Sequence, residues 1–274
     1  MHTNKYRSSF RDIFLPLFEH THLIKQLTKR GILGRYRGSV LGLAWSLLTP
    51  LLMLMVYTIV FSVVFQARWD HPDAQNANFG VILFSGMIIH ALFCEPMVTS
   101  AQSIIQNSQY VKKVVFPLPV LAWITLFVAL FQSLLSLIVL LLFMLITGMT
   151  VHLTLLWLPV VVLPLMMLAL GVSWLLSSTT VYLRDVGQIV GIISTVFLFI
   201  SPVFYPVDRL PGLWQKLIYL NPISFIVDQV RQVLIYGNQP DWVGLCIYSL
   251  VALGVAWLGL VWFQKLRPGF ADVL

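Results

Sequence analysis

Charged residues are the scarcest class in this sequence. Asp, Glu, Lys and Arg together supply 10% of its 274 residues, against 59% hydrophobic ones. A water-soluble domain carries roughly 25% charged and ~45–50% apolar residues, so the composition excludes one and points to an integral membrane protein. Acids are fewest, ten Asp and Glu against 17 Lys and Arg. Only Glu95 falls well inside an apolar run, and a lone acid does not make the relay that a proton-coupled pump uses. Cysteine is nearly absent. Cys94 and Cys246 lie far apart in apolar runs without a CxxC spacing, which excludes a disulfide framework and a thiolate metal site and leaves both as small buried hydrophobes.

Catalytic and nucleotide-binding signatures are missing too. No Gly-Lys dipeptide occurs, so there is no phosphate-binding loop of the Walker type. There is no HExxH, no GxSxG and no metal-spaced Cys/His set. His20 and His22 stand about 200° apart on a helix, a poor chelating geometry. The sequence therefore predicts no catalytic residues, no metal and no cofactor bound by the chain itself. The net charge of +7 has a topological reading that needs no nucleic acid as partner. The N-terminal MHTNKYRSSFRDIF has no long apolar run and no small-residue cleavage site, so the first span is expected to serve as the targeting signal.

What is present is a series of apolar runs long enough to cross a bilayer, which takes roughly 20 residues each. The expected fold is all-α, with six transmembrane helices at about 38–65, 79–105, 119–146, 155–177, 189–203 and 242–263. Residues 1–37 form a cytoplasmic N-terminus. Within it Leu17, Phe18, Leu23, Ile24 and Leu27 alternate with polar residues from Pro16 to Arg30, the pattern of an amphipathic helix lying on the membrane surface. Pro50 should kink the first span. Between the fifth and last spans, residues 204–241 carry four prolines and two short helical patterns, the second capped by Asn221 with Pro222 as its first residue and Gly237 as its stop. Neither pattern is apolar enough to cross, so a re-entrant hairpin is expected. Residues 264–274 read as a basic cytoplasmic tail.

Basic residues set the orientation. With the N-terminus inside, thirteen of the 17 Lys and Arg fall on the inner side and four outside, so both termini are predicted to be cytoplasmic. Arg30, Arg35 and Arg37 stand directly against the first apolar run. The short segments 106–118 and 178–188 mix polar and apolar residues and are candidates for docking another protein. In the first, Tyr110, Val111, Val114 and Phe116 lie between polar neighbours, Asn107 or Ser108 can cap a short helix, and Pro117 and Pro119 would stop it. Tyr57, Phe61 and Phe65 recur at i, i+4, i+8 on the first span, and Phe197, Phe199, Phe204 and Tyr205 cluster at the end of the fifth. Such rings can stack on the apolar faces of sugars or simply pack against helices and lipid.

The order of these features resembles that in the membrane (permease) subunit of ATP-binding-cassette exporters of bacterial surface polysaccharides, of the O-antigen, capsule or teichoic acid type. The matching stretches are Leu33-Gly34-Arg35-Tyr36-Arg37-Gly38-Ser39, Leu41-Gly42, Trp45, Pro50, Lys112-Lys113-Val114-Val115-Phe116-Pro117, Tyr182-Leu183-Arg184-Asp185, Ser201-Pro202-Val203-Phe204-Tyr205 and Asn221-Pro222. The resemblance implies a homodimer around a central channel, with two copies of a separate ATPase subunit that bind ATP and Mg. It implies that Tyr110, Lys112, Lys113, Phe116 and Pro117 form the coupling segment, with Arg184 and Asp185 in the second cytoplasmic loop. The first and fifth spans would line the channel with Tyr57, Phe61, Phe65, Phe197 and Phe199. Phe204, Tyr205, Asn221 and Pro222 would belong to the outer gate. The cargo would be a polysaccharide on undecaprenyl diphosphate, with O-antigen first among the polymers, carried across the bacterial inner membrane. Arg35, Tyr36, Arg37 and Trp45 then stand at a portal where arginines can hold phosphate oxygens, set topology, or bind anionic lipid headgroups.

Two other classes fit less well. An intramembrane enzyme acting on lipid-linked sugars needs paired carboxylates or a His–acid pair at one interface, and Arg184-Asp185 has no second acid nearby. A drug-type exporter of the same superfamily predicts a large extracellular domain or a fused ATPase, and neither is present.

Overall fold

A computed structural model describes residues 9–66, 69, 78–112, 116–207 and 210–274. The described residues form helices and turns. Five helical segments are long and apolar enough to cross a membrane: Gly42–Val64, Phe79–Gln106, Val120–Ile146, Leu153–Tyr182 and Trp242–Val273.

The N-terminal amphipathic stretch is two helices, α1 (Arg11–Glu19) and α2 (Thr21–Arg35). They break at His20, whose backbone leaves the helical region, and Pro16 sits inside α1 rather than at its start. Gly38 and Gly42 take φ of +87° and +50°, a left-handed backbone that an L side chain resists. The first long helix therefore begins at Gly42, not at 38. Its regular part is α3 (Trp45–Tyr57), and it ends in a π-helical stretch at Thr58–Val64.

Helix α4 (Phe79–Gln106) runs through the middle of the molecule and is buried over most of its length. Asn78 caps it by accepting a bond from the Gly80 N–H. The one-turn α5 (Ser108–Val111) and α6 (Val120–Ile146) follow. Helix α7 (Leu158–Tyr182) continues past the expected end at 177, and α8 (Val186–Ile200) begins three residues earlier than expected. The segment 178–188 is thus mostly helical, with a tight turn at Leu183–Asp185. Helix α8 stops at Ile200 because Pro202 cannot extend it. Its 15 residues rise about 22 Å, short of the ~30 Å hydrocarbon core.

Residues 204–241 do contain two short helices, α9 (Gly212–Ile218) and α10 (Pro222–Arg231), the latter ending in a π turn at Gln232–Tyr236. Asn221 Oδ1 accepts from the Ile223 N–H as the cap, and Gly237 stops the helix at φ +73°. The final helix α11 (Trp242–Leu266) packs along α7. A Cβ on Gly171 would lie 2.6 Å from Ala256 Cα, and one on Gly259 would lie 2.1 Å from the Gly171 carbonyl oxygen. The missing side chains let these two backbones touch, the way small residues allow membrane helices to pack. The tail folds back in place of trailing away. In α12 (Phe270–Val273) Phe270 is fully buried against Phe263 and Tyr182, and the Tyr182 hydroxyl donates to the Leu266 carbonyl at 2.8 Å. Cys94 is buried as expected, whereas Cys246 is exposed.

Candidate functional site

Helices α3 and α8 lie largely outside the packed core. Helix α3 buries only Ser46, Pro50 and Leu54, and α8 only Val190. Their remaining faces are apolar and open, with Leu51 and Met55 on α3, Ile59 on the π-helical stretch that follows it, and Ile189, Ile192, Val196 and Phe199 on α8. Both rest on α4, and the His90 ring nitrogen lies 3.0 Å from the Ser194 carbonyl oxygen of α8.

At the Phe79 end of α4 the expected aromatic residues come together. Phe61 stacks on Phe79 at 5.6 Å between ring centroids, and also meets Phe65 and Phe204. Phe204 stacks on Phe199 at 5.8 Å. Tyr57 lies against Phe84, and Phe197 against Phe93. The rings of α3 and α8 are thus joined through Phe204, while Tyr57 and Phe197 face α4.

The end of α8 is closed by side chains from the segment that follows it. A helix leaves its last carbonyls without partners. Here the Tyr205 hydroxyl lies 3.0 Å from the carbonyl oxygens of both Phe199 and Ile200. Asn221 Nδ2 donates to Ser201 Oγ at 2.9 Å. Arg231 donates to the carbonyls of Pro202 at 2.6 Å, Val203 at 3.1 Å and Ile82 at 3.3 Å. A cation suits the negative end of a helix. Arg231 is only 3% exposed, and the Trp69 ring covers it at 4.6 Å. Gly86 makes the room, since a Cβ there would stand 3.1 Å from Arg231 Nη2. Sequence reasoning found Tyr205 and Asn221 but missed Arg231 and Gly86. The available signal was a lone arginine inside a short helix otherwise rich in apolar residues.

At the other expected site, Arg35 reaches sixty residues along the chain to form an ion pair with Glu95 of α4. Burial pulls the Arg35 guanidinium below its ordinary value, with a smaller opposing effect from Tyr36; an arginine stays charged nonetheless. The Tyr36 hydroxyl lies 3.1 Å from Gln132 Oε1 of α6, and Gln132 Nε2 donates to the Ser46 carbonyl at 3.0 Å. These bonds tie the start of α3 to α4 and α6. Arg37 is exposed and forms no ion pair among the described residues. Trp45 is partly exposed at the head of α3. The structure therefore unites Arg35 and Tyr36 with the bundle and leaves Arg37 and Trp45 outward.

At the far end of α4, Tyr110 stacks on Phe116 at 4.3 Å with nearly parallel rings. The expected cap of α5 does not form: Asn107 Nδ2 donates back to the Ser103 carbonyl. Lys112 ends the short helix and Pro117 precedes α6, while Lys113 lies outside the described residues. Arg184 and Asp185 are exposed in the turn between α7 and α8. Among the described residues no group of three or more His, Cys, Asp or Glu is placed to hold a metal.

Known proteins match this arrangement over most of its length. The family model described as ABC-2 type transporter matches residues 22–235. Two proteins of Klebsiella pneumoniae, both named O-antigen export system permease protein RfbA, are 27% and 26% identical, each over 92% of this chain and 95% of their own. A Myxococcus xanthus protein of the same name is 29% identical over 93% of this chain and 96% of its own.

Proposed function

This chain belongs to the ABC-2 type transporter family, and from that premise we propose that it is the permease subunit of an ATP-driven exporter that moves undecaprenyl-diphosphate-linked polysaccharide, of the O-antigen class, across the bacterial inner membrane. The observation that carries the cargo assignment is the match, over at least 92% of the chain, to permeases named for O-antigen export. The geometry adds support. The open apolar faces of α3 and α8 suit a second copy across a channel, and the aromatic rings joined at Phe204 suit a passing glycan.

In this reading α8 is a sixth, shorter crossing. The hairpin of α9 and α10 dips into the outer leaflet, and both termini are cytoplasmic. Tyr205, Asn221 and Pro222 of the outer gate hold the end of α8 until the polymer pushes through. Two ATPase subunits, which bind ATP and Mg, dock on the coupling segment around Tyr110, Lys112, Phe116 and Pro117, with the turn at Arg184 and Asp185 beside it. The permease does no covalent chemistry.

The portal reading is narrower than the sequence predicts. Glu95 already engages Arg35, so Arg37 is the arginine that first meets the diphosphate. Arg35 joins it only when the pair with Glu95 opens. The bonds from Arg35 to Glu95 and to a phosphate are both charge-assisted, and a diphosphate competes by offering more oxygens and more negative charge.

The test is co-expression with the ATPase encoded beside it, purification, and reconstitution with lipid-linked polymer. Co-purification and ATP-dependent appearance of polymer on the far side support the proposal. A chain that associates with no ATPase lacking membrane spans overturns it.

A further inference from the structure

A second cavity lies away from the exit, on the α6 side of α2 and next to the portal. Helix α2 and the first half of α6, with Leu17 and Leu43, line an open-sided cavity of about 590 Å³. Its walls are Ile24, Ile32, Leu33 and Leu43 on one side and Phe127 and Phe131 on the other. Lys25 and Lys29 line it one helical turn apart, both exposed, and no acid lines it. The gap is a built feature of the contact. At Gly31 the two helices nearly touch, since a Cβ there would lie 3.0 Å from Val128 Cγ2, so the cavity is braced beside a close contact.

One residue of the wall carries a polar atom that the fold leaves unexplained. Thr21, Thr99, Thr147, Thr179 and Thr180 each turn the hydroxyl back to the carbonyl four residues earlier, the usual resting place of a helical threonine. Thr28 lines the cavity, and its Oγ1 is buried with no hydrogen-bond partner among the described residues. A buried hydroxyl left so is unfavourable, and a ligand oxygen to which Thr28 turns would relieve it.

We propose that this cavity binds an anionic glycerophospholipid, with its phosphate between Lys25 and Lys29, an ester oxygen at Thr28 and an acyl chain along Ile32, Leu33, Phe127 and Phe131. From Lys25 to Leu33 the helix rises about 12 Å, a fitting distance from a headgroup to the upper part of its chain. The cations are lysines, point charges that suit a phosphodiester. The occupant is a bilayer phospholipid and not the cargo's own anchor, because the two lysines match a single phosphodiester and neither portal arginine, Arg35 or Arg37, lines the slot. The lipid then fixes the depth and tilt of α2, and through the Tyr36–Gln132 bond the start of α3. The site stands whatever polymer is exported.

Native mass spectrometry of the purified protein with phosphatidylglycerol or phosphatidylcholine added tests this. Phosphatidylglycerol should be retained preferentially. Lys25→Gln with Lys29→Gln should weaken it about thirtyfold, at about 1 kcal/mol per lysine. Leu33→Trp, which fills the slot from an exposed position, should abolish retention with both lysines intact, while Lys265→Gln at the distant end of α11 should change nothing. Equal retention of the two lipids, or unchanged retention in the lysine or tryptophan variants, overturns the site. Displacement of phosphatidylglycerol by an equal amount of undecaprenyl phosphate, with the same lysine dependence, overturns the assignment to a phospholipid.

Discussion

Replacing Arg231 by methionine tests how the segment after α8 closes the end of that helix. Methionine keeps most of the stem and removes every donor. Three carbonyls receive the guanidinium. That of Ile82 lies inside α4 and keeps its helical bond, so Pro202 and Val203 bear the loss. Bonds from a charged donor contribute about 1.5–3 kcal/mol each, and the contact with Trp69 adds about 0.5–2. Against these stands the relief of no longer burying a cation, which is several kcal/mol in unfavourable sites. The carbonyls remain in place without a partner, so the balance falls on the destabilising side, at about 2–4 kcal/mol. Thermal unfolding in detergent should drop by roughly 4–16 °C, taking about 2–4 °C per kcal/mol. A cysteine placed at Tyr205 should react faster with a membrane-impermeant thiol reagent in the Arg231→Met background. Arg231→Lys should fall between, since a lysine keeps the charge but cannot fork to two carbonyls. If Arg231→Met unfolds at the wild-type temperature and leaves residue 205 equally shielded, the guanidinium does not hold this turn.

Other substitutions probe the remaining contacts. Arg35→Ala and Glu95→Ala, alone and together, form a double-mutant cycle by thermal unfolding. The double variant should be more stable than the two single losses predict, with a coupling of about 0.5–3 kcal/mol; additivity would mean that the pair contributes nothing. Arg37→Ala should reduce export while a topology reporter fused to the N-terminus stays cytoplasmic, and a reporter that flips would assign the residue to orientation alone. Gly171→Val should lower the yield of folded protein sharply, because overpacking costs about 1–3 kcal/mol even before a backbone contact of 2.6 Å is considered; a normal melting curve would contradict the close crossing of α7 and α11. Phe116→Ser with Pro117→Ser should abolish co-purification of the ATPase while insertion continues, and retained co-purification would remove the coupling role from this segment.

The long apolar runs were legible in the sequence because a bilayer demands about 20 apolar residues and little else. The caps at Asn221 and Gly237 were legible because each acts on its own neighbours. Local rules failed where distant residues decide the outcome. The turn at 183–185 is shorter than its polar residues imply, since Thr179 and Thr180 bond their own helix and Trp262 Nε1 donates to Thr179 from α11. The tail is held by Tyr182, 84 residues from the carbonyl it meets. Glu95 is recognisable as a costly intramembrane acid, yet its spacing from Arg35 gives no hint of their pairing. Arg231 had the same difficulty: its three acceptors come from two segments that sequence order does not join.

The most direct test of the proposed function is to delete this gene in its native host and follow the polymer. The proposal predicts that full-length polysaccharide is still made but remains inside the inner membrane as undecaprenyl-diphosphate-linked material, with none on the cell surface, and that the intact gene restores export. Normal amounts of surface polysaccharide in the deletion strain would contradict it.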